Sequence, residues 1–445
     1  MTDLSINFAG IKAPNPFWLA SAPPTNSGYQ IMKAFEAGWG GAVWKTLGVP
    51  VVNVSSRYGG LNYRDTRMAG FTNIELITDR TLADNLREME EVKKYFPNHA
   101  VIASLMVESR KEWQQIIKDV ENAGADGIEL NFGCPHGMCE RGMGSAVGQE
   151  PAVLKTIVEW VMEAATVPVI TKLTPNISDI EDPGLAAVQG GTNAISLINT
   201  IKSIIGIDLD TFSPLPAVDG KGTNGGYCGP AVKPIALNMV RQLAQHPEIA
   251  GTPISGIGGI ETWRDVVEYI LLGCTSVQVC TAVMHYGFGI VREMESGLRQ
   301  FMEDRGFQTI YDFAGKALPN VVEWKDLNLK HKVVASINAD KCIGCQLCYI
   351  ACEDGAHQAI ALPQNGQTRV PEIIDENCVG CNLCSLVCPV EECITMEKRD
   401  SGKEQLTWDE LVAADAAPVA FNDPRAGGNG HYVPEPVKAL KKQAS

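Results

Sequence analysis

The sequence predicts a closed parallel α/β barrel of eight strand–helix units, followed by a small α+β module organised by two cysteine runs. Three observations predict it. Across about the first 330 residues, short β-branched or aliphatic runs alternate with amphipathic helical patterns, and eight such units close a barrel. Polar and glycine residues gather where those runs end, which sets them on one rim if the strands form a barrel. Beyond them stand Cys342-x-x-Cys345-x-x-Cys348-x-x-x-Cys352 and, 26 residues later, Cys378-x-x-Cys381-x-x-Cys384-x-x-x-Cys388-Pro389.

Taken in order, strands are expected at residues 17–20, 42–45, 101–106, 127–132, 167–173, 194–198, 252–255 and 276–279. Helical patterns run over 28–36, 111–122, 152–164, 233–245 and 262–271. The strand ends carry Ser21, Lys45, Asn131 with Cys134, Lys172, Asn199 with Thr200, Gly258 and Thr281. A doubly wound open sheet has the same periodicity. The chemical coherence of these ends favours the TIM barrel, whose sites are built at the C-terminal rim. The barrel is expected over residues 1–332, the cysteine module over 333–398, and a polar, proline-containing tail over 399–445. That tail reads as low in regular structure, draped over the surface or over a partner subunit.

The cysteine spacing carries the most specific signal. Two-residue gaps let three thiolates of one tight loop face a single compact centre, and the fourth cysteine of each run reaches across to the other centre. Cys342, Cys345, Cys348 and Cys388 are therefore assigned to one [4Fe–4S] cluster, and Cys378, Cys381, Cys384 and Cys352 to the second. Zinc sites use separated ligand pairs, and disulfides do not persist in a reducing compartment. Cys352 is followed by Glu353 where Cys388 is followed by Pro389, which loosens one turn and removes no ligand.

Composition narrows the class. Lys plus Arg number 37 against 52 Asp plus Glu, a net charge of −15, which argues against nucleic acid and anionic membrane as partners. Fourteen cysteines without a signal-peptide pattern at the N-terminus point to a reducing cytoplasm, and no apolar run reaches the length of a membrane helix. The expectation is a soluble cytoplasmic protein.

Single electrons from clusters serve a two-electron reaction through a converter, usually a flavin. The turns at Ser255-Gly-Ile-Gly-Gly259 and Val279-Cys-Thr281 follow the last two strands, where barrels bind phosphate, and Thr281 adds a hydroxyl donor. No G-x-G-x-x-G occurs, so a nicotinamide site is not apparent and electrons must come from elsewhere. Lys172 and Lys45 each end a buried strand and suit the anionic edge of a reduced flavin. The glycine-rich loop over residues 131–148 is long enough for a lid. Cys134 near its start can exchange a proton with carbon, with Cys139 and His136 competing for that role.

Ala20-Ser21-Ala22, Lys45-Thr46, Thr72-Asn73-Ile-Glu75, Leu130-Asn-Phe-Gly-Cys-Pro-His-Gly137, Lys172-Leu-Thr-Pro-Asn176 and Ile198-Asn-Thr200 resemble the dihydroorotate dehydrogenase-like FMN barrel. The Cys-Pro-His-Gly loop, with a bacterial-type two-cluster ferredoxin module behind the barrel, resembles dihydropyrimidine dehydrogenase, in its bacterial NAD-dependent form. The resemblance spans nearly residues 1–395. It implies FMN and two [4Fe–4S] clusters, and reversible reduction of the C5=C6 bond of uracil or thymine. By position it makes Cys134 the acid at C5 while flavin N5 delivers hydride to C6, with Lys172 beside the flavin. Asn73, Glu75, Asn131, Asn199 and Thr200 would bind the pyrimidine, whose alternating acceptors and donors match amide side chains. Ser21, Lys45, Thr46, Asn131, Lys172, Gly229, Gly258, Gly259, Cys280 and Thr281 would hold FMN.

The long form of that family carries FAD and NADPH domains ahead of its barrel, and this chain has none. The resemblance therefore implies a separate FAD/NAD(P)H-binding reductase subunit, in a hetero-oligomer built on a homodimer, such as a heterotetramer. Two other readings compete: a dihydroorotate dehydrogenase with a fused ferredoxin, and a non-catalytic electron-transfer subunit. Orotate would need a cation for its carboxylate, and the substrate set contains none beyond the flavin lysines.

Overall fold

A computed structural model describes residues 2–135, 138–363, 369–400, 402 and 406–414, the side chains of Cys139 and Glu140 excepted. The chain divides into two compact units, Met1–Asn320 and Val321–Ser445.

The first unit is a closed parallel barrel of eight strands. They are β1 (Phe17–Leu19), β2 (Gly41–Leu47), β3 (Ala100–Leu105), β4 (Gly127–Asn131), β5 (Val169–Lys172), β6 (Ala194–Leu197), β7 (Ile254–Ile257) and β8 (Cys274–Val279). Neighbours in space are neighbours in sequence, and β8 closes the ring by pairing with β1 through Val277 and Phe17. Strands buried on both faces read as continuous apolar runs, which is why all eight are visible in sequence. Helices cover the outside. In Arg110–Asn122, Ser109 and Glu112 form a capping box, and Trp113, Ile116, Ile117 and Val120 bury one face at helical spacing.

The seventh strand differs from expectation. It runs two residues later than 252–255, so Ser255, Gly256 and Ile257 pair with β8 and the turn begins at Gly258. The apolar signal at this strand is weak, because Ser and Gly occupy its middle.

Two features were not anticipated. A hairpin of Ile6–Phe8 and Ile11–Ala13 lies near the N-terminus. A four-stranded antiparallel sheet joins Ile201–Ser203, Gly225–Cys228, Thr66–Asn73 and Tyr58–Tyr63, from the excursions after β6 and β2. These strands are partly exposed and three of the four contain glycine, so they lack an apolar alternation. Their register comes from long-range pairing such as Gly226 with Asn73. A Cβ on Gly226 would stand 2.2 Å from Thr200 Oγ1, so only glycine lets this sheet close over the strand end.

The second unit is a small α+β fold. Lys332–Ile337 pairs antiparallel with Ile394–Arg399, and Ile360–Ala361 with Glu372–Ile373. Helices Leu347–Gly355 and Leu383–Leu386 each start just after the second cysteine of a run. Within the stretch expected to lack regular structure, Trp408–Ala413 forms a helix capped by Thr407 and Glu410, and Trp408 packs on Trp324 at 5.9 Å. Residues 415–445 of the expected tail lie outside the described residues. Among the described residues, no helix is long and apolar enough to cross a membrane.

Candidate active site

Cys134 and every residue expected to hold FMN or the pyrimidine line one cavity of about 1130 Å³ at the C-terminal ends of the strands. β1 leads to Ser21, β2 carries Lys45 and Thr46, and β4 ends in Asn131 with Cys134 three residues on. Lys172 ends β5, Asn199 and Thr200 follow β6, Gly258 and Gly259 follow β7, and Cys280 and Thr281 follow β8. The antiparallel sheet adds Asn73 and leads to Gly229, and Glu75 lies just beyond it. Parallel strands in register place their ends at one level, which turns widely separated residues into one rim.

Hydrogen bonds fix this rim. Thr46 Oγ1 meets Ser21 Oγ at 3.1 Å and Ser104 Oγ at 2.9 Å, and it accepts from Asn131 Nδ2 at 2.9 Å. Asn131 Oδ1 accepts from Gly133 N at 3.2 Å, and Asn73 Nδ2 donates to Gly226 O at 3.3 Å. Thr281, expected as a phosphate donor, directs its hydroxyl to Cys228 Sγ at 3.3 Å. Burial pushes the Cys228 thiol up to about 11, so it stays protonated at neutral pH. Burial likewise raises the Cys280 thiol well above its ordinary range.

Both lysines are paired. Lys45 Nζ lies 2.5 Å from Glu75 Oε1, which Arg57 also meets at 3.0 Å, while Tyr58 donates to Glu75 Oε2 at 2.7 Å. Burial, and then this bond to Glu75, raise the Tyr58 hydroxyl far above its usual value. Glu75, expected among the ring-binding groups, is thus also the anchor for Lys45, Arg57 and Tyr58. Lys172 Nζ lies 3.4 Å from Glu129 Oε1, and the other oxygen, Oε2, accepts from Ser196 and Gln278 at 2.9 and 2.8 Å. Glu129 is fully buried.

Cys134 is buried among Ile77, Met106, Met138 and Met143 while still lining the cavity. Its carbonyl accepts from Ser145 N at 3.0 Å. Gly144 has φ +60°, and a Cβ there would come 2.8 Å from that carbonyl, so glycine is required for this fold-back. Asn224 of the excursion after β6 donates to Pro135 O at 3.4 Å. His136 and the Cys139 side chain, the competing proton donors, lie outside the described residues.

Sequence reasoning missed Glu129, Gln278, Arg57, Tyr58 and Cys228. A charged residue inside Gly-Ile-Glu-Leu-Asn and an amide inside Ser-Val-Gln-Val were readable signals, because a buried polar side chain in a central strand needs a reason. Arg57 and Tyr58 had no such signal.

The cavity suits an isoalloxazine and a pyrimidine. Gln278 Oε1 is buried, lines the cavity and has no hydrogen-bond partner among the described residues, a cost of about 1–3 kcal/mol that a ligand N–H removes. Gly258 and Gly259 have φ of +129° and +67° and bring bare backbone to the rim where a phosphate would sit. Tyr269 holds the Gly258 carbonyl at 2.6 Å from the outer side.

In the second unit the eight cysteines fall into two cavities of about 320 and 360 Å³. Cys342, Cys345, Cys348 and Cys388 line one, and Cys378, Cys381, Cys384 and Cys352 the other. Each cavity thus gathers three cysteines of one run and the fourth of the other, with four thiols for the four irons of a cubane.

The family profile for dihydroorotate dehydrogenase matches residues 3–302, and that for a 4Fe-4S dicluster domain matches residues 335–396. The chain is 46% identical over 367 residues to the NAD-dependent dihydropyrimidine dehydrogenase subunit PreA of Escherichia coli (strain K12), covering 82% of this chain and 89% of that protein. It is 44% identical to the chloroplastic dihydropyrimidine dehydrogenase (NADP(+)) of Arabidopsis thaliana, over 74% of this chain and 80% of the relative. It is 35% identical to the catalytic subunit of dihydroorotate dehydrogenase B (NAD(+)) of Thermococcus kodakarensis, over 71% and 98%.

Proposed function

This chain belongs to the dihydroorotate dehydrogenase family, with a 4Fe-4S dicluster domain behind its barrel, and we propose that it reduces the C5=C6 bond of uracil or thymine to the 5,6-dihydropyrimidine. The observation that carries this reading is the convergence of Cys134, the asparagines and two buried lysines on one cavity. When bound, FMN supplies hydride to ring C6 and the two [4Fe–4S] clusters supply its electrons one at a time.

The chain's own residues do the following. Cys134 gives its S–H proton to C5, so hydride and proton together complete the addition across the double bond. A thiol suits this step because its ordinary pKa, about 8.5, lies nearer neutrality than that of a hydroxyl. The surrounding methionines and isoleucine keep water from that proton. Asn73, Asn131, Asn199 and Thr200 read the ring edge, with Glu75 setting the position of Lys45. Lys172 stabilises negative charge at the flavin edge, and Glu129 holds Lys172 and Gln278 in place from within the barrel. Ser21, Thr46, Gly229, Gly258, Gly259, Cys280 and Thr281 complete the FMN site. The cysteines of each cavity ligate one cluster.

Lys45 and Lys172, the lysines lining the cavity among the described residues, are both ion-paired, which leaves neither ammonium uncommitted for the carboxylate of orotate. That favours an uncharged pyrimidine over orotate. A separate reductase subunit carrying FAD and the NAD(P)H site feeds the clusters, in keeping with the word subunit in the Escherichia coli relative's name. The complex is a heterotetramer in the cytoplasm, where thiolates stay reduced. The test is anaerobic turnover of uracil, thymine and orotate with a chemical reductant. Dihydrouracil and dihydrothymine are the expected products, and preferential consumption of orotate would overturn the assignment.

A further inference from the structure

The cysteines of the second unit do not divide evenly between its two cavities. The one lined by Cys342, Cys345, Cys348 and Cys388 also holds Cys393, whereas four cysteines line the other. Cys393 is 2% exposed, and it packs in the same buried cluster as Cys342 and Cys388. A backbone acceptor, Asn338 O, is 3.8 Å from its sulfur.

The pseudo-twofold arrangement of this unit shows what the position requires. Asn338 N donates to Cys393 O and Ile374 N donates to Ala359 O, both at 2.8 Å. Cys342 N donates to Asn338 O and Cys378 N donates to Ile374 O, both at 3.0 Å. Cys393 and Ala359 each precede a buried isoleucine that opens a strand, Ile394 and Ile360. The same frame therefore sets Ala359 in the second cavity where Cys393 stands in the first. Since alanine fills the equivalent place, packing alone does not call for sulfur.

We propose that Cys393 is a reserve ligand of the first cage, able to take over the iron that Cys388 holds. The inference rests on the two-cluster reading above. In the exchange, the Cys393 S–H proton passes to solvent and one iron–sulfur bond forms where the Cys388 bond is missing. No electron moves. The Cys393 sulfur already lines this cage, and only Ala359 stands at that place in the other, which is what separates the two.

The test uses the full chain purified without oxygen, with iron and acid-labile sulfide per chain and low-temperature EPR as readouts. Wild type should hold about eight irons. C388A should keep about eight, whereas C388A/C393A and C352A should each fall to about four. A soluble C388A as depleted as the double variant would overturn the proposal. If C388A is not recovered soluble, the transplant decides: Ala359→Cys in the C352A background should restore about eight irons, and failure to restore them would overturn it. A wild-type chain short of about eight irons would instead fail the two-cluster reading itself, and this proposal with it.

Discussion

The barrel and the cysteine module build their sites in opposite ways. Each cage of the module takes three of its four predicted ligands from seven consecutive residues, Cys342 to Cys348 or Cys378 to Cys384. The barrel's candidate site draws on seven of its eight strand ends and on a separate antiparallel sheet, across residues as distant as Ser21 and Thr281. The difference teaches where sequence carries chemistry. Local spacing states a ligand set outright, whereas a rim exists only after the fold has closed.

The largest effect is expected in the barrel, whose chemistry depends on one side chain at the assembled rim. Cys134→Ala should lower pyrimidine turnover by about 10²–10⁴ while FMN stays bound, read by steady-state assay and flavin absorbance. Near-normal turnover would move the acid to Cys139 or His136. The next effect concerns the barrel interior. Glu129→Ala leaves Lys172 buried beside no counter-charge and should destabilise the first unit by about 3–5 kcal/mol in urea unfolding, with Glu129→Gln milder because it keeps an oxygen acceptor. Equal stability of wild type and Glu129→Ala would remove Glu129 from its positioning role.

A smaller effect sharpens the local side of the comparison. Cys348→Ala should cut iron from about eight to about four per chain without changing FMN content, measured by metal analysis and flavin release. Loss of FMN along with the iron would show that the two sites are not built independently. The smallest effect lies on the barrel's outer shell. The Arg80 guanidinium holds the Glu88 carboxyl below its ordinary value of 4.5, and Glu88 also accepts from Gly28 N at 2.8 Å. A depressed folded pKa contributes stability that is present above the unfolded value and lost as pH falls through the folded one. The stability gap between wild type and Glu88→Gln should therefore be flat near neutrality, about 0.5 kcal/mol after solvent screening, and close below pH 4.5. A gap unchanged at low pH would contradict it.

How much was legible follows from the same contrast. The eight strands could be read because parallel strands covered on both faces are continuous apolar runs, as in Ala-Val-Ile-Ala-Ser-Leu of β3. The seventh slid by two residues because Ser255 and Gly256 interrupt that signal. The sheet carrying Asn73 was invisible as a sheet. Tyr58–Tyr63 is mostly exposed and glycine-containing, and only pairing with Thr66–Asn73 makes it a strand. Glu129 and Gln278 carry no strand-end signal, because they lie within their strands and point into the barrel. The pairing of Glu75 with Lys45, Arg57 and Tyr58 joins residues whose spacing has no period, so no pattern announces it.

The most direct test of the central claim is a single anaerobic preparation of the full chain, analysed for FMN and iron and then supplied with reductant and a pyrimidine. About one FMN and about eight irons per chain are expected, with uracil or thymine converted to its dihydro form faster than orotate is consumed. A chain that carries the clusters but binds no FMN, or that turns over orotate in preference to uracil and thymine, would contradict it.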